Sequence, residues 1–481
     1  MSLSRSLRFI AIVIAALALL CIVFPKEGVE IAGITLRFPS LHRIIVKEHK
    51  PTLEDIMHTE AYQEHKKQLN GLADSIAFLQ QQADSSSLRF WFPAGHADFF
   101  DPLFASMEHA VPEGRTVRIV HYGDSQIEMD RMTQQLRTYM QQQFGGGGPG
   151  MQPSYQTIPS YAVSQWNSGD WTVLSSYGDS TVHRANGNYG LLARCGHLSG
   201  SGTVAFSASK QSFVDDRVRR FCDITVLFNN RPGPLTVSLS EADSDSRSQS
   251  SSNAGVHSFR WHLSAPISRL NLSLQGDADI YAILLDNGPG VAVDNVPLRG
   301  CSGQQFTMIN RSQLQQAYSH LNVGLIILQF GGNSVPFLKG EKNTAAYAHS
   351  IAKQIDRMHE VCPSAKVLFI GPSDMSTMID GELQSYRFLP RIVQMLRDTV
   401  VQHNAAYWSL YDAMGGHNSM VTWTDNGLAG ADYIHFSTKG VSIIGQRLAD
   451  AFDHMYRLYL LRQRQTAMAA DTSQFHADNT L

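Results

Sequence analysis

The sequence predicts an α/β fold on a mainly parallel sheet, interrupted by a β-rich insertion and preceded by one apolar helix. Three observations predict it. Short apolar strands alternate with helical stretches on either side of a long gap. The gap, residues 151–287, is rich in Ser, Gly, Asn and Asp and has no helix-period stretch of any length. Phe9 to Phe24 is an unbroken apolar run. Strands alternating with helices build a mainly parallel sheet, whereas alternating runs without helices build antiparallel layers.

The apolar run comes first. It spans 16 residues, just under the ~17–25 that cross a bilayer, so a signal peptide and an anchor are both open. A buried helix of a soluble protein is the blander alternative. No small-x-small cleavage site ends the run, and Leu20 before Cys21 does not suit lipoprotein processing. An uncleaved anchor over residues 1–26 is therefore preferred. Arg5 and Arg8 precede it and place everything after it outside the membrane. Five cysteines agree with export; those beyond Cys21 are Cys195, Cys222, Cys301 and Cys362. Four allow three pairings, or free thiols. No Cys-x-x-Cys or His-x-x-x-His spacing suggests zinc, and no cofactor is expected.

The chain has 481 residues, 43% hydrophobic and 17% charged, with a formal net charge of −3. That composition supports a sizeable core and excludes wholesale disorder. Without a concentrated basic run, nucleic acid is a poor candidate partner.

Residues 27–89 read as a stalk or linker: a short strand or two within Ile31–Val46, then a polar helix from Thr52 to Gln82, broken by Asp84 to Ser87. A first α/β segment follows at 90–150. In it, Val117 to Tyr122 is a strand running into Gly123-Asp124-Ser125, and Met129 to Phe144 is a helix. The glycine run at 145–150 ends that helix and is not followed by Gly-Lys-Ser/Thr, so it is no phosphate loop. In the insertion, runs such as Ile224–Phe228 and Leu235–Leu239 suggest a β-sandwich, with Asp243 to Asn253 as an exposed loop. The α/β pattern resumes over 288–462. Its strands are Val291–Val293, Val323–Phe330, Ala365–Ile370 and Tyr407–Asp412, and its helices Ala345–His359, Leu389–His403 and Gly440–Tyr456. Residues 463–481 read as a disordered tail.

The chemistry-bearing residues gather where strands end, where open α/β sheets place their sites. Gly-Asp-Ser at such an end is weak evidence alone, and the plain reading of Ser125 is a helix N-cap. A serine needs a base. His435 in Asp432-Tyr433-Ile434-His435 is the candidate, with Asp432 close enough in sequence to orient its ring. An ester's oxyanion needs donors. The Asn333 side chain, after Gly331-Gly332, is one; the Gly303 and Ser125 amides are others. Any one piece has a plain structural reading, as a turn or a surface histidine. Four in this order do not.

Together these blocks resemble the SGNH (GDSL-like) hydrolase superfamily, in which Ser, Gly, Asn and His each come from one block. Here the blocks are His121–Ser125, Arg299–Gly303 (Gly303 preferred, Gly300 the fallback), Gln329–Asn333 and Asp432–His435. The resemblance implies a flavodoxin-like three-layer α/β/α domain, a Ser125-Asp432-His435 triad, an oxyanion hole from Ser125, Gly303 and Asn333, and no metal. It covers about 90–148 and 288–460. Ser125 and Gly303 lie 178 positions apart, which is similar to peptidoglycan O-acetylesterases of bacterial periplasms. Those carry a carbohydrate-binding-like domain at this point. Gln126 departs from the Leu or small residue of many relatives.

The expected protein is thus an exported serine esterase, single-pass in the inner membrane, with its catalytic domain in the periplasm or outside the cell. It would remove O-acetyl groups from peptidoglycan or another glycan. A glycan O-acetyltransferase with the same triad, a lipid or thioester hydrolase, and a non-catalytic glycan-binding protein are the alternatives. Trp166, Trp171, Tyr177, Tyr189 and Trp261 of the insertion are open to two readings, a glycan platform or core filling.

Overall fold

The strand expected at Val117–Tyr122 forms over Thr116–Gly123, and its side chains divide between two cores. Val117 and Ile119 enter one apolar cluster, Val120 and Tyr122 the other, as the two-residue repeat of a strand dictates. The computed structural model containing it describes residues 3–24, 29–31, 34–36, 60–240 and 246–478. The chain forms two compact units, residues 1–75 with 462–481, and residues 76–461.

In the first unit, α1 (Leu3–Val23) exposes apolar residues such as Phe9, Ile12 and Ile22. Among the described residues it is the one helix long and apolar enough to cross a membrane. β1 (Val29–Ile31) and β2 (Ile34–Leu36) pair as an antiparallel hairpin. The polar helix α2 runs over Glu60–Ser85. Its expected start at Thr52, and the rest of the expected strand region up to Val46, lie outside the described residues.

The second unit begins with β3 (Phe90–Trp91), α3 (Asp101–Glu108), β4 (Thr116–Gly123) and α4 (Thr133–Phe144). α4 starts four residues later than expected, because Met129 and Asp130 adopt φ of 60° and 68°. That left-handed conformation breaks a right-handed helix.

The insertion holds β5 (Gly150–Gln152), β6 (Val163–Ser175), β7 (Arg194–Ala208), β8 (Phe221–Asn230), β9 (Leu235–Ser240), β10 (Arg247–Ser251), β11 (Gly255–Ile267) and β12 (Arg269–Asp286). The eight strands form one connected antiparallel sheet with β12 at its centre: its first part pairs with β9 and β7, its last with β8 and β5. Inward residues including Phe206, Leu272, Phe228 and Ile283 fill one cluster. Trp261 packs there too and Tyr189 is buried elsewhere, so both are core, whereas Trp166 is 58% exposed. Part of the serine-rich patch expected as a loop is strand β10. Its edge position explains the missing apolar signal: Ser248 and Ser250 meet Ser238 and Thr236 through side-chain hydrogen bonds on a solvent face.

The chain then returns through β13 (Gly290–Pro297), α5 (Arg311–Ser319), β14 (Val323–Gln329), α6 (Glu341–Val361), β15 (Lys366–Ile370), the hairpin β16 (Ser376–Ile379) and β17 (Glu382–Ser385), α7 (Leu389–Gln402), β18 (Ala406–Trp408), α8 (Leu410–Met414), α9 (Ser419–Asp425) and α10 (Thr438–Asp478). The last expected strand is shorter than Tyr407–Asp412, because the Ser409 side chain accepts from the Asp412 amide and starts α8. α10 continues to Asp478, so the segment expected as a disordered tail is helical to that point.

The central sheet runs β13-β4-β14-β15-β18-β3, parallel except for β3. Numbered by their own sequence, its five parallel strands stand in the order 2-1-3-4-5, the flavodoxin-like winding. α5, α6 and α7 supply Leu314, Ile351 and Leu396 to the cluster on one face. α3, α4 and α10 supply Leu103, Leu136 and Leu448 to the other. The fold is therefore a three-layer α/β/α sandwich interrupted between β4 and β13. At the seam, buried Arg118 of β4 pairs with Asp294 of β13 at 2.6 Å and with Asp286 at the end of β12. Removing one partner would strand a buried charge, typically a loss of about 3–5 kcal/mol.

Candidate active site

Ser125 leaves the end of β4 in a short 3₁₀ turn, Ser125–Ile127, capped by Asp124 and not by the serine itself. The Asp124 carboxylate accepts from the Gln126 amide at 3.0 Å, which frees the Ser125 hydroxyl for other partners. Burial pushes the Asp124 carboxyl up to about 6, against the Gln126 amide and nearby His435, which favour the charged form.

His435 comes from the loop between α9 and α10. The loop closes on itself: the Gly430 amide donates to the His435 carbonyl at 2.8 Å, and Tyr433 takes a left-handed φ of 53°. Ser437 then caps α10, its hydroxyl accepting from the Gly440 amide at 3.2 Å. A Cβ at Gly440 would lie 1.9 Å from the Leu428 carbonyl oxygen, so only glycine lets the helix pack this close behind the loop. Phe436 is buried against Trp423, with ring centroids 5.2 Å apart.

These elements join three side chains in a line. The Ser125 hydroxyl oxygen lies 2.8 Å from His435 Nε2, and His435 Nδ1 lies 2.7 Å from Asp432 Oδ2. Asp432 Oδ1 accepts the Ile434 and His435 amides at 3.0 and 3.1 Å. Burial works against the Asp432 charge, but the hydrogen bonds from the His435 ring and both amides outweigh it and hold the carboxyl below its usual range. An ionised Asp432 fixes the ring tautomer that leaves Nε2 ready to accept a proton from serine. The line is open to solvent: the His435 and Asp432 side chains are 40% and 48% exposed.

Asn333 follows β14 and reaches back to the serine turn. Its side-chain amide donates to the Cys301 carbonyl at 3.0 Å and to Asp124 Oδ2 at 3.4 Å. Gly303 sits at φ 83°, and a Cβ there would lie 2.8 Å from the Phe330 side chain. Nothing crowds the corresponding position at Gly300. Steric need thus falls on Gly303. Its amide and that of Ser125 donate to no described residue. Ser125, Asp432 and His435 are linked directly; Asn333 is linked to them through Asp124, and Gly303 lies in the loop whose Cys301 carbonyl Asn333 holds.

Several supports had no signal in the sequence. Arg131 donates to the Ser125 carbonyl at 2.8 Å and to the Phe436 carbonyl at 3.3 Å, bridging the serine and histidine loops. Glu128 makes a two-pronged ion pair with Arg299, joining the serine turn to the Gly303 loop. Arg137 is buried against Asp130 and the Val293 carbonyl. Each pair is remote in sequence or lies in an irregular turn, so neither periodicity nor motif spacing reveals it.

Residues 270–443 match the model of the GDSL-like lipase/acylhydrolase family. The match takes in the second, third and fourth blocks and leaves Ser125 outside, before the insertion. No curated protein matches the sequence. Among solved structures, the chain is similar to one described as a peptidoglycan O-acetylesterase in action. Identity is 22% and the TM-score 0.61, over 78% of this chain and 99% of that one. An acetyl xylan esterase matches at 13% identity and a TM-score of 0.27, over 34% of this chain and 81% of its own. The periplasmic domain of a lipopolysaccharide acetyltransferase of Salmonella ser. Paratyphi A matches at 11% and 0.25, over 34% and 73%. The first of these is a likeness of fold across nearly the whole of that chain. Over residues 270–443 the chain thus resembles the GDSL-like lipase/acylhydrolase family, and its α/β/α fold is that of the first of these structures.

Proposed function

We propose that the protein is a membrane-anchored, exported acetylesterase that acts on an O-acetylated glycan through Ser125, His435 and Asp432. The observation that carries the reading is the unbroken line from the Ser125 hydroxyl through His435 to Asp432. Ser125 Oγ attacks the acetyl carbonyl while His435 Nε2 accepts its proton. The ester's oxyanion is met by the amides of Ser125 and Gly303 and by Asn333, which exchanges its long contact to Asp124 for the new charge. The tetrahedral intermediate collapses, the C–O bond to the sugar breaks, and His435 gives its proton to the departing hydroxyl. Water, deprotonated by His435, then attacks the acetyl-enzyme, releases acetate and restores Ser125.

Two features support a polymer as substrate. The exposure of His435 and Asp432 leaves the line accessible to a chain that no closed pocket would admit. The outer face of the insertion also holds a furrow of about 700 Å³. One row of its floor crosses four strands as Trp166, Ala205, Asn271 and Ser240. Its rim residue Tyr161 stacks edge-on against the half-exposed Phe213. An exposed indole beside small polar side chains suits the apolar face and hydroxyl edge of a sugar. The furrow is tied to the segment that follows the serine turn: the Tyr161 amide donates to the Met129 carbonyl at 3.0 Å. Helix α1, with Arg5 and Arg8 near its start, supports anchoring with the rest of the chain outside the membrane.

The test is acetate release by the full-length protein from p-nitrophenyl acetate and from O-acetylated peptidoglycan, beside Ser125→Ala. Release from both, abolished in the variant, is the expected result. Acetyl transfer to an added glycan without net acetate release would replace hydrolysis by transfer. Release that persists in Ser125→Ala would overturn the triad.

A further inference from the structure

Asp286, Asp223 and His262 stand in one row across three neighbouring strands of the insertion. Asp223 on β8 lies directly opposite Asp286 on β12 and His262 on β11, and directly opposed residues of antiparallel strands share a face. Asp223 Oδ1 meets His262 Nδ1 at 2.7 Å. Its Oδ2 accepts the Gly288 amide at 3.0 Å and lies 3.4 Å from the Cys222 sulfur. A thiol, a carboxylate and an imidazole therefore converge, with ligand atoms all within 4.8 Å of one another.

We propose that Cys222, Asp223 and His262 bind one divalent transition-metal ion of the zinc class, with water in the remaining position. The geometry suits it. Tetrahedral zinc, with Zn–S of ~2.3 Å and Zn–O of ~2.0 Å, sets ligand sulfur and oxygen about 3.5 Å apart. That is close to the Cys222–Asp223 separation of 3.4 Å. His262 Nδ1 rests on the other carboxylate oxygen, Oδ1, at 2.7 Å, with the three ligand atoms within 4.8 Å of one another, and gives up that hydrogen bond as it turns to the ion. The donor set selects the metal: a thiolate with an imidazole favours zinc or cobalt, whereas magnesium and calcium prefer oxygen alone.

Local charge also favours a cation. Asp286, one strand over in the same row, leaves its Oδ1 buried without a hydrogen-bond partner. Its other oxygen shares Arg118 with Asp294, so carboxylates outnumber that single guanidinium in this part of the seam. On binding, the Cys222 thiol gives its proton to solvent and the sulfur–metal bond forms, with no change of oxidation state. The ion would fasten β8 and β11 beside the Gly288 turn, where the chain passes from the insertion back to β13. This site is independent of the proposed esterase chemistry. Its residues are hidden from motif reading because the histidine arrives by strand pairing, 39 positions after Asp223.

The test is a cobalt titration of the full-length, chelator-stripped protein. Wild type is expected to show a near-ultraviolet thiolate-to-cobalt absorption band that saturates at one ion per chain, disappears on adding zinc, and accompanies a higher Tm. Cys222→Ser should lose the band. His262→Ala, at a side chain 74% exposed and so without consequence for folding, should weaken binding by more than about tenfold, since even outer-shell partners of a metal are worth 10–100-fold. Absence of the band in wild type, or an unchanged band and affinity in both variants, would overturn the site.

Discussion

Gln126 donates its side-chain amide to the Ile434 carbonyl at 2.7 Å, so the residue after Ser125 holds the residue before His435. Gln126 is buried, and the bond crosses between two loops whose relative position sets the serine–histidine distance. Leucine at this position would fill the same space without the bond.

Gln126→Leu should therefore lower kcat on p-nitrophenyl acetate by about 10–100-fold, the cost of a misplaced catalytic pair. KM should hardly move, because Gln126 has no part in holding a small ester. Steady-state kinetics separate the two; an unchanged kcat would show that the loops stay in place without the bond.

The sequence carried the parallel sheet and the serine–histidine line because both leave local marks. Val323–Gln329 is an apolar run of strand length, and Asp432-Tyr433-Ile434-His435 puts the histidine and the carboxylate that holds its ring in one turn. What it did not carry arises from contacts between remote segments or from backbone conformations without a residue signature. The left-handed Met129 and Asp130 sit inside a stretch that reads as helix. β10 reads as loop because an edge strand with a solvent face has no apolar alternation. Arg131 looks like any surface arginine until the fold brings Phe436 beside it.

Asn333 is fully engaged at rest, one amide hydrogen on the Cys301 carbonyl and the other on Asp124 Oδ2. The weaker of the two, at 3.4 Å, is the one an oxyanion would displace. Asn333→Ala should cost about 10²–10³ in kcat, as the loss of one oxyanion donor does, with folding retained by circular dichroism. A loss of less than a few-fold would assign the hole to the Ser125 and Gly303 amides alone.

Trp166 projects from β6 at the furrow, where its replacement removes no core contact. Trp166→Ala should lower kcat/KM on O-acetylated peptidoglycan by about tenfold, the scale of losing an aromatic anchor, and leave p-nitrophenyl acetate turnover unchanged. Trp166→Phe should restore most of the polymer activity. Equal losses on both substrates would mean that the furrow does not hold the polymer.

His121 and Asp124 stand at the end of the same strand and give opposing pH dependences to stability. Burial lowers the His121 pKa from 6.5 to about 4, so between those values the unfolded chain binds the extra proton and stability rises with pH. Burial raises the Asp124 pKa from 3.8 to about 6, so in nearly the same window the folded chain binds the extra proton and stability falls with pH. Each is worth on the order of 3 kcal/mol across the window, at about 1.4 kcal/mol per pKa unit, and in the wild type they largely cancel. Asp124→Asn should unmask the histidine, making stability against urea climb more steeply from about pH 4 to about pH 6.5. His121→Gln should unmask the aspartate and tilt the same curve downward. Parallel curves for both variants and wild type would mean that neither group changes its proton occupancy on folding.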